Sequence, residues 1–208
     1  MLTGLWTPKG GSGTTVTACA LARLHDPALI IDTAGDVPAV LGLAESDAPG
    51  IRDWLASDSP DSRLDDLVEE IDERLSIIRS GSAAGPFGDR SWARLADWAS
   101  KRPGEVIVDL GTGRPDAWTD ISARSVMVVR PCYLALRRSV RTATTPDGII
   151  VISEPGRALS ADDVARCLGA PVLTTVIVDP TVARAVDAGL LLSRLPASLG
   201  ALASALPT

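Results

Sequence analysis

Short aliphatic and β-branched runs alternate along this chain with stretches of helical periodicity, and no other feature narrows the possible folds as much. The runs are Leu2 to Trp6, Ala28 to Ile31, Leu75 to Ile78, Val106 to Leu110, Val126 to Val129, Gly148 to Ile152 and Val172 to Val178. Each has the length and composition of a strand buried on both faces. Helical patterns fill the intervals: Thr15 to Leu24, Ser62 to Leu75, Ser91 to Ser100, Leu134 to Thr142, Ala161 to Leu168 and Thr181 to Leu191. Strand alternating with helix predicts an α/β fold in three layers, a mostly parallel sheet flanked by helices on both faces. The most regular helical pattern has Leu64, Leu67, Val68, Ile71 and Leu75 at spacings of three and four, with Asp65, Asp66, Glu69, Glu70, Asp72 and Glu73 around them. It reads as an amphipathic helix whose acidic side is solvated, or alternatively docks a basic partner.

Composition removes several functional classes. With 208 residues, 46% of them apolar, one domain spanning residues 1–208 is expected. The loops at Asp26-Pro27, Ser57 to Asp61, Ser80 to Asp89 and Gly111 to Pro115 are too short to link domains. There is no apolar run of about 18 residues, and the N-terminal MLTGLWTPKGG has no basic segment leading into a long apolar one. The expectation is a cytoplasmic protein. A net charge of -6 argues against general attraction to nucleic acid or an anionic membrane. Cys19, Cys132 and Cys167 are far apart with a single histidine to join them, which leaves no disulfide framework or Cys/His zinc site and makes them expected buried thiols.

Chemistry concentrates where the first strand runs into Pro8-Lys9-Gly10-Gly11-Ser12-Gly13-Thr14-Thr15 and then a helix. Glycines let a backbone wrap tightly enough to aim successive N–H groups at one anion, and the helix N-terminus adds partial positive charge. A phosphate fits such a loop. The plainer alternative is a structural strand-to-helix turn.

On these residues the loop resembles the deviant P-loop, KGGxGK[ST], of the ParA/MinD family of P-loop ATPases, whose members act in chromosome or plasmid partition, septum placement and pilus or flagellar positioning. Ile30-Ile31-Asp32 with Gly35-Asp36 resembles the family's switch region, Val106-Ile107-Val108-Asp109-Leu110-Gly111 its Walker B strand, and Val176 to Pro180 with Arg184 to Gly189 its late strand and following helix. The resemblance implies the P-loop NTPase fold. It also implies that Lys9, Gly10, Gly11, Ser12, Gly13, Thr14 and Thr15 contact ATP or ADP, that Thr15 and Asp109 hold Mg²⁺, and that Lys9, Asp32 and Asp109 are the catalytic candidates. Lys9 reaches a partner subunit's phosphates in such relatives. Asp32 and Asp109 also have a plain reading, as strand-end residues that cap turns.

Two positions depart from the family pattern. Thr14 stands where the P-loop lysine contacts the β- and γ-phosphates, and Ala34 stands where many members carry the second acid of a DxD pattern that orients water. Asp36 is a candidate substitute at a different spacing. The resemblance therefore implies a degenerate, CpaE-like member: a nucleotide-binding or scaffolding pseudo-ATPase with little or no hydrolysis. The alternative is an active ATPase switch that dimerises around ATP. A homodimer or a protein partner is expected, and neither nucleic acid nor direct membrane binding. Some relatives lie on membrane through a basic C-terminal helix, but the Ala/Leu-rich segment 190–208 has Arg194 as its only charge and is expected to pack on its own domain or a partner.

Three weaker features complete the reading. Arg130, Arg137, Arg138 and Arg141 surround Tyr133 and read as exposed helix charge, with binding to an acidic partner or to DNA phosphate as the alternative. His25 is placed to cap the first helix. Trp92, Leu95 and Trp98 share a helix face that suits the core or a subunit contact.

Overall fold

The computed structural model describes residues 1–141 and 145–206. In chain order these form β1 (Leu2–Thr7), α1 (Thr14–Leu24), β2 (Ala28–Asp32), α2 (Val37–Leu41), α3 (Ile51–Leu55) and α4 (Ser62–Asp66), then β3 (Glu69–Glu70), β4 (Leu75–Ile78), α5 (Asp89–Ser100) and β5 (Glu105–Thr112). After a 3-10 helix at Asp116–Thr119 come β6 (Arg124–Val129), α6 (Tyr133–Arg141), β7 (Gly148–Ser153), α7 (Ala161–Leu168), β8 (Val172–Ile177), α8 (Pro180–Asp187) and a 3-10 segment at Ala197–Ser204. All seven expected strands are present, but β8 is half-buried rather than buried, because it lies at the sheet edge and pairs only with β7. The sheet order is β3-β4-β2-β5-β1-β6-β7-β8, with every pairing parallel except that of β3 with β4. Because β1 lies between β5 and β6 and the strand order departs from it in both directions, a crevice opens beyond the carboxyl ends of the central strands.

Alternation along each strand divides the core in two. On one face Leu2, Trp6, Ile31, Val108, Met127 and Val151 meet α3, α4, α5, α6 and α7, and all five tryptophans lie in this layer. On the other, Leu5, Ile30, Ile107, Val126 and Ile150 meet α1, α2 and the C-terminal segment through mostly small or aliphatic side chains. Ala18, Cys19 and Ala22 of α1 are fully buried, so the helix that follows the glycine-rich loop is held directly against the sheet.

The expected helix from Ser62 to Leu75 does not form. It stops at Asp66, and after β3 the chain enters β4 at Leu75. The physical reason is that its apolar residues serve opposite faces of the sheet: Leu64, Leu67 and Val68 join the tryptophan-bearing layer, whereas Ile71 and Leu75 join the other. No single helical stripe could do both. The expected acidic face is dispersed with it into separate ion pairs, Asp65 with Arg102, Asp66 with Arg63, Glu69 with Arg79 and Asp72 with Arg23.

Other expectations are settled more simply. His25 Nδ1 lies 2.8 Å from the Leu21 carbonyl and caps the last turn of α1. Trp92, Leu95 and Trp98 are core. The C-terminal segment packs on its own domain: Leu199, Leu202, Ala205 and Leu206 are buried, and the Thr174 hydroxyl donates to the Ala201 carbonyl at 3.0 Å. Its last two residues, and Thr142 at the end of the helix expected from Leu134, lie outside the described residues. Arg130 pairs with Glu154, while Arg137, Arg138 and Arg141 are exposed. Of the cysteines only Cys19 is buried; Cys167 is exposed, because α7 buries only Val164. The last helix ends at Asp187 rather than Leu191, followed by Gly189 at φ 65°. Among the described residues no helix is long and apolar enough to cross a membrane.

One glycine in the central strand makes room for the aromatic layer. A Cβ at Gly4 would lie 2.5 Å from the Trp118 ring, which is itself packed edge-on against Trp92 at a centroid distance of 5.5 Å. Gly4→Ala overpacks this contact and is expected to lower stability by about 1–3 kcal/mol. Urea unfolding measures it, and an unchanged midpoint would show that the layer yields freely.

Candidate functional site

The turn between β1 and α1 is held by its own side chains. The Thr7 hydroxyl donates to Ser12 Oγ at 2.9 Å, and the Ser12 hydroxyl donates to the Lys9 carbonyl at 2.9 Å. Gly11 and Gly13 sit at φ 80° and 87°, a region that an L side chain adopts only with strain. A Cβ at either would touch nothing within 4 Å, so backbone conformation and not space requires glycine there. Gly13 is the N-cap of α1 and no side chain caps the helix, whereas Ser160 caps α7 and Asp179 caps α8. The first-turn amides of α1 therefore face the crevice without a side-chain acceptor, the condition under which a helix N-terminus receives an anion. Thr14 Oγ1 is buried with no hydrogen-bond partner.

Behind this turn stand two carboxylates. Parallel pairing of β2 with β5 sets Asp32 opposite Asp109, both fully buried. Asp32 accepts amides from Ala34 at 3.0 Å, Gly35 at 2.6 Å and Val37 at 3.2 Å, and so shapes the loop that opens α2. Burial raises its pKa, and these amides partly offset the rise. Asp109 Oδ1 accepts the Gly111 amide at 3.0 Å, whereas Oδ2 has no partner. Burial first, and the charges of Asp32 and Asp36 after it, raise Asp109 to about 6, although the Thr15 hydroxyl and the Gly111 amide pull the other way. The same burial and the same neighbours, Asp109 and Asp32, keep the Cys19 thiol protonated. Turn-capping thus accounts for both oxygens of Asp32 and only one of Asp109.

The loop opens onto a cavity of about 900 Å³. Of the residues expected at the site, Gly10, Gly11, Ser12, Gly13, Thr14 and Thr15 line it; Asp36 lines it as well, whereas Lys9, Asp32 and Asp109 do not. Other lining residues had no motif to announce them, among them Arg52 from α3, Phe87 from the loop before α5, and Thr112 at the end of β5. Asp187 at the end of α8 also lines the cavity, within the segment whose late-helix resemblance pointed there. The ends of α2 and α8 meet through glycine: a Cβ on Gly42 would lie 2.4 Å from the Gly189 carbonyl oxygen.

Mg²⁺ is compatible with these groups in one form. Thr15 and the unpartnered Oδ2 of Asp109 are hard oxygen donors, suited to a cation that keeps water and takes most of its ligands from phosphate. Among the described residues no cluster of three His, Cys, Asp or Glu side chains could hold a metal ion unaided.

No protein-family model matches this sequence, and no curated protein matches it. Solved structures do. The ParA family ATPase from Chlorobium tepidum is similar with a TM-score of 0.75 and 19% identity, over 97% of this chain and 95% of that one. The septum site-determining protein MinD from Pyrococcus horikoshii, complexed with Mg-ADP, has a TM-score of 0.70 and 18% identity over 98% and 93%. Apo McdA from Cyanothece has a TM-score of 0.71 and 18% identity over the full length of both chains. At such identities the likeness establishes the fold: the eight-stranded, mostly parallel sheet with its flanking helices is that of P-loop NTPases.

The raised pKa of Asp109 carries a sign for stability. Its folded value of about 6 exceeds the ordinary 3.8, so the native state holds the extra proton between these values and loses stability as pH rises through them. Asp109→Asn removes this contribution. The variant is therefore expected to gain on the parent protein by roughly 1–3 kcal/mol from about pH 4.5 to about pH 7.5. Denaturant titrations at both ends test it; parallel profiles would mean that Asp109 titrates normally.

Proposed function

We propose that the chain is a ParA/MinD-type protein that binds ATP or ADP with Mg²⁺ in the cavity above β1 and hydrolyses it little or not at all, serving as a nucleotide-binding or scaffolding element of intracellular positioning. The observation that carries this reading is the uncapped N-terminus of α1, set behind two positive-φ glycines and beside two buried, unpartnered side-chain oxygens, Thr14 Oγ1 and Asp109 Oδ2. The Mg-ADP complex of the MinD of like fold agrees with the ligand proposed.

Bound Mg²⁺ would neutralise charge on the phosphate oxygens. The protein's part would be to direct the amides of Gly11 to Thr15 at phosphate, with the Thr15 hydroxyl and Asp109 as the groups that would hold the metal. Asp32 positions rather than reacts, since both its oxygens are engaged by the amides of its own loop. Asp36 is the acid that reaches the cavity in place of one at position 34. Lys9 does not line the cavity, which agrees with a role toward a second copy of the chain. The partner is accordingly a homodimer or another protein, with no part for DNA or a membrane given the net charge of -6.

Thr14 cannot supply the ammonium that a lysine would bring, and removing one member of a buried charge pair costs roughly 2–5 kcal/mol. Thr14→Lys is therefore expected to tighten ATP–Mg²⁺ binding at least about tenfold by isothermal titration. Equal affinity, or no binding by either protein, would make the loop a structural turn and remove nucleotide from the function. Steady-state ATP hydrolysis is expected at background, since position 14 lacks the clamp and position 34 the acid. A clear turnover abolished by Asp109→Ala would establish the active-switch alternative instead.

A further inference from the structure

The cavity is short of positive charge in an unusual way. Its ionisable lining residues are Asp36, Asp187 and Arg52, and Lys9 stands outside. The two acids would repel a polyphosphate, and the neutral Thr14 brings no charge to offset them. Arg52 is half-buried, and among the described residues its guanidinium has neither a hydrogen bond nor an ion pair. We propose that Arg52 is the phosphate-binding cation of this site, supplying from α3 the charge that position 14 lacks. The proposal rests on the nucleotide reading above and deepens it.

The fold takes unusual trouble to place this side chain. The amides of Ile51 and Arg52 donate to the carbonyls of Arg79 at 2.8 Å and Ser80 at 2.9 Å. The Asp53 carboxylate accepts from the amides of Gly50 at 2.8 Å, Ser82 at 3.1 Å and Ala83 at 3.0 Å. This approach is possible only without side chains: a Cβ on Gly50 would lie 2.2 Å from the Arg79 carbonyl, and one on Gly81, at φ 71°, would lie 1.8 Å from Asp53 Oδ2. Ile51, Trp54 and Leu55 are buried in the tryptophan-bearing layer, so the helix is pinned on its other sides and Arg52 is the residue it turns to the cavity. A guanidinium stays charged at any working pH and meets phosphate with paired donors, so it suits a site where a flexible lysine has been lost.

Isothermal titration of ATP–Mg²⁺ into the full chain tests this. Arg52→Gln is expected to weaken binding by about 30-fold, and Arg52→Lys, which keeps the charge, by less than about fivefold. Adding Thr14→Lys to Arg52→Gln is expected to restore affinity to within about fivefold of the parent protein, because the second change returns charge to the same ligand. Thermal melts of the free proteins should coincide, since the guanidinium has no partner to lose. Parent and Arg52→Gln proteins that bind equally would overturn the role of Arg52 and leave the nucleotide reading intact. A parent protein that binds no nucleotide would overturn that reading and this proposal with it. If Arg52→Gln melts lower, the Arg52→Lys comparison decides: a loss as large as that of the glutamine variant overturns the charge role.

Discussion

Two carboxylates buried side by side set the terms for the rest of the molecule. Asp32 and Asp109 face each other across β2 and β5 at the end of the sheet where strands give way to loops. Removing a carboxylate from water costs several kcal/mol unless hydrogen bonds or a cation compensate. Asp32 is compensated by main-chain amides, so the chain from Ala34 to Val37 must wrap it, and α2 begins where that wrapping ends. Asp109 is compensated only in part, which leaves it a buried oxygen without a partner and a raised pKa. One carboxylate builds the loop, and the other keeps an unpartnered oxygen.

The glycine-rich turn follows the same division between structure and ligand. The hydroxyls of Thr7 and Ser12 are engaged with each other and with the Lys9 carbonyl, so on the proposed reading recognition of an anion falls to the amides of α1. Amides supply direction and partial charge but no full charge. On the proposed reading the full charges come from the metal and from Arg52, which enters on a neighbouring helix.

The two core layers explain why the cavity walls sit where they do. The tryptophan-bearing layer fixes α3, and the small-residue layer draws α1 against the sheet. Glycines at the contacts, Gly4 under Trp118, Gly42 at Gly189 and Gly50 at Arg79, allow approaches that a single methyl would block.

Seven of the strands were legible in the sequence because burial within a sheet leaves an unbroken local record of apolar residues; the edge strand β8 kept that record although it is only half-buried, and the exposed two-residue β3 left none. The turn was legible for a similar reason, since the conformation of Gly11 and Gly13 is demanded locally and only glycine meets it without strain. Segment Ser62 to Leu75 misled because spacings of three and four also arise when a chain crosses from one face of a sheet to the other, as Leu64 and Leu75 do. Arg52 and Phe87 belong to no motif and reach the cavity through contacts between distant parts of the chain. Sequence alone determined seven of the strands, the layers and the glycine-rich turn, because these answer to periodicity and dihedral preference within a few residues. Tertiary structure decided which charges meet there and which carboxylate keeps a free oxygen, because those outcomes depend on strand register and on backbones brought within a methyl's width of each other.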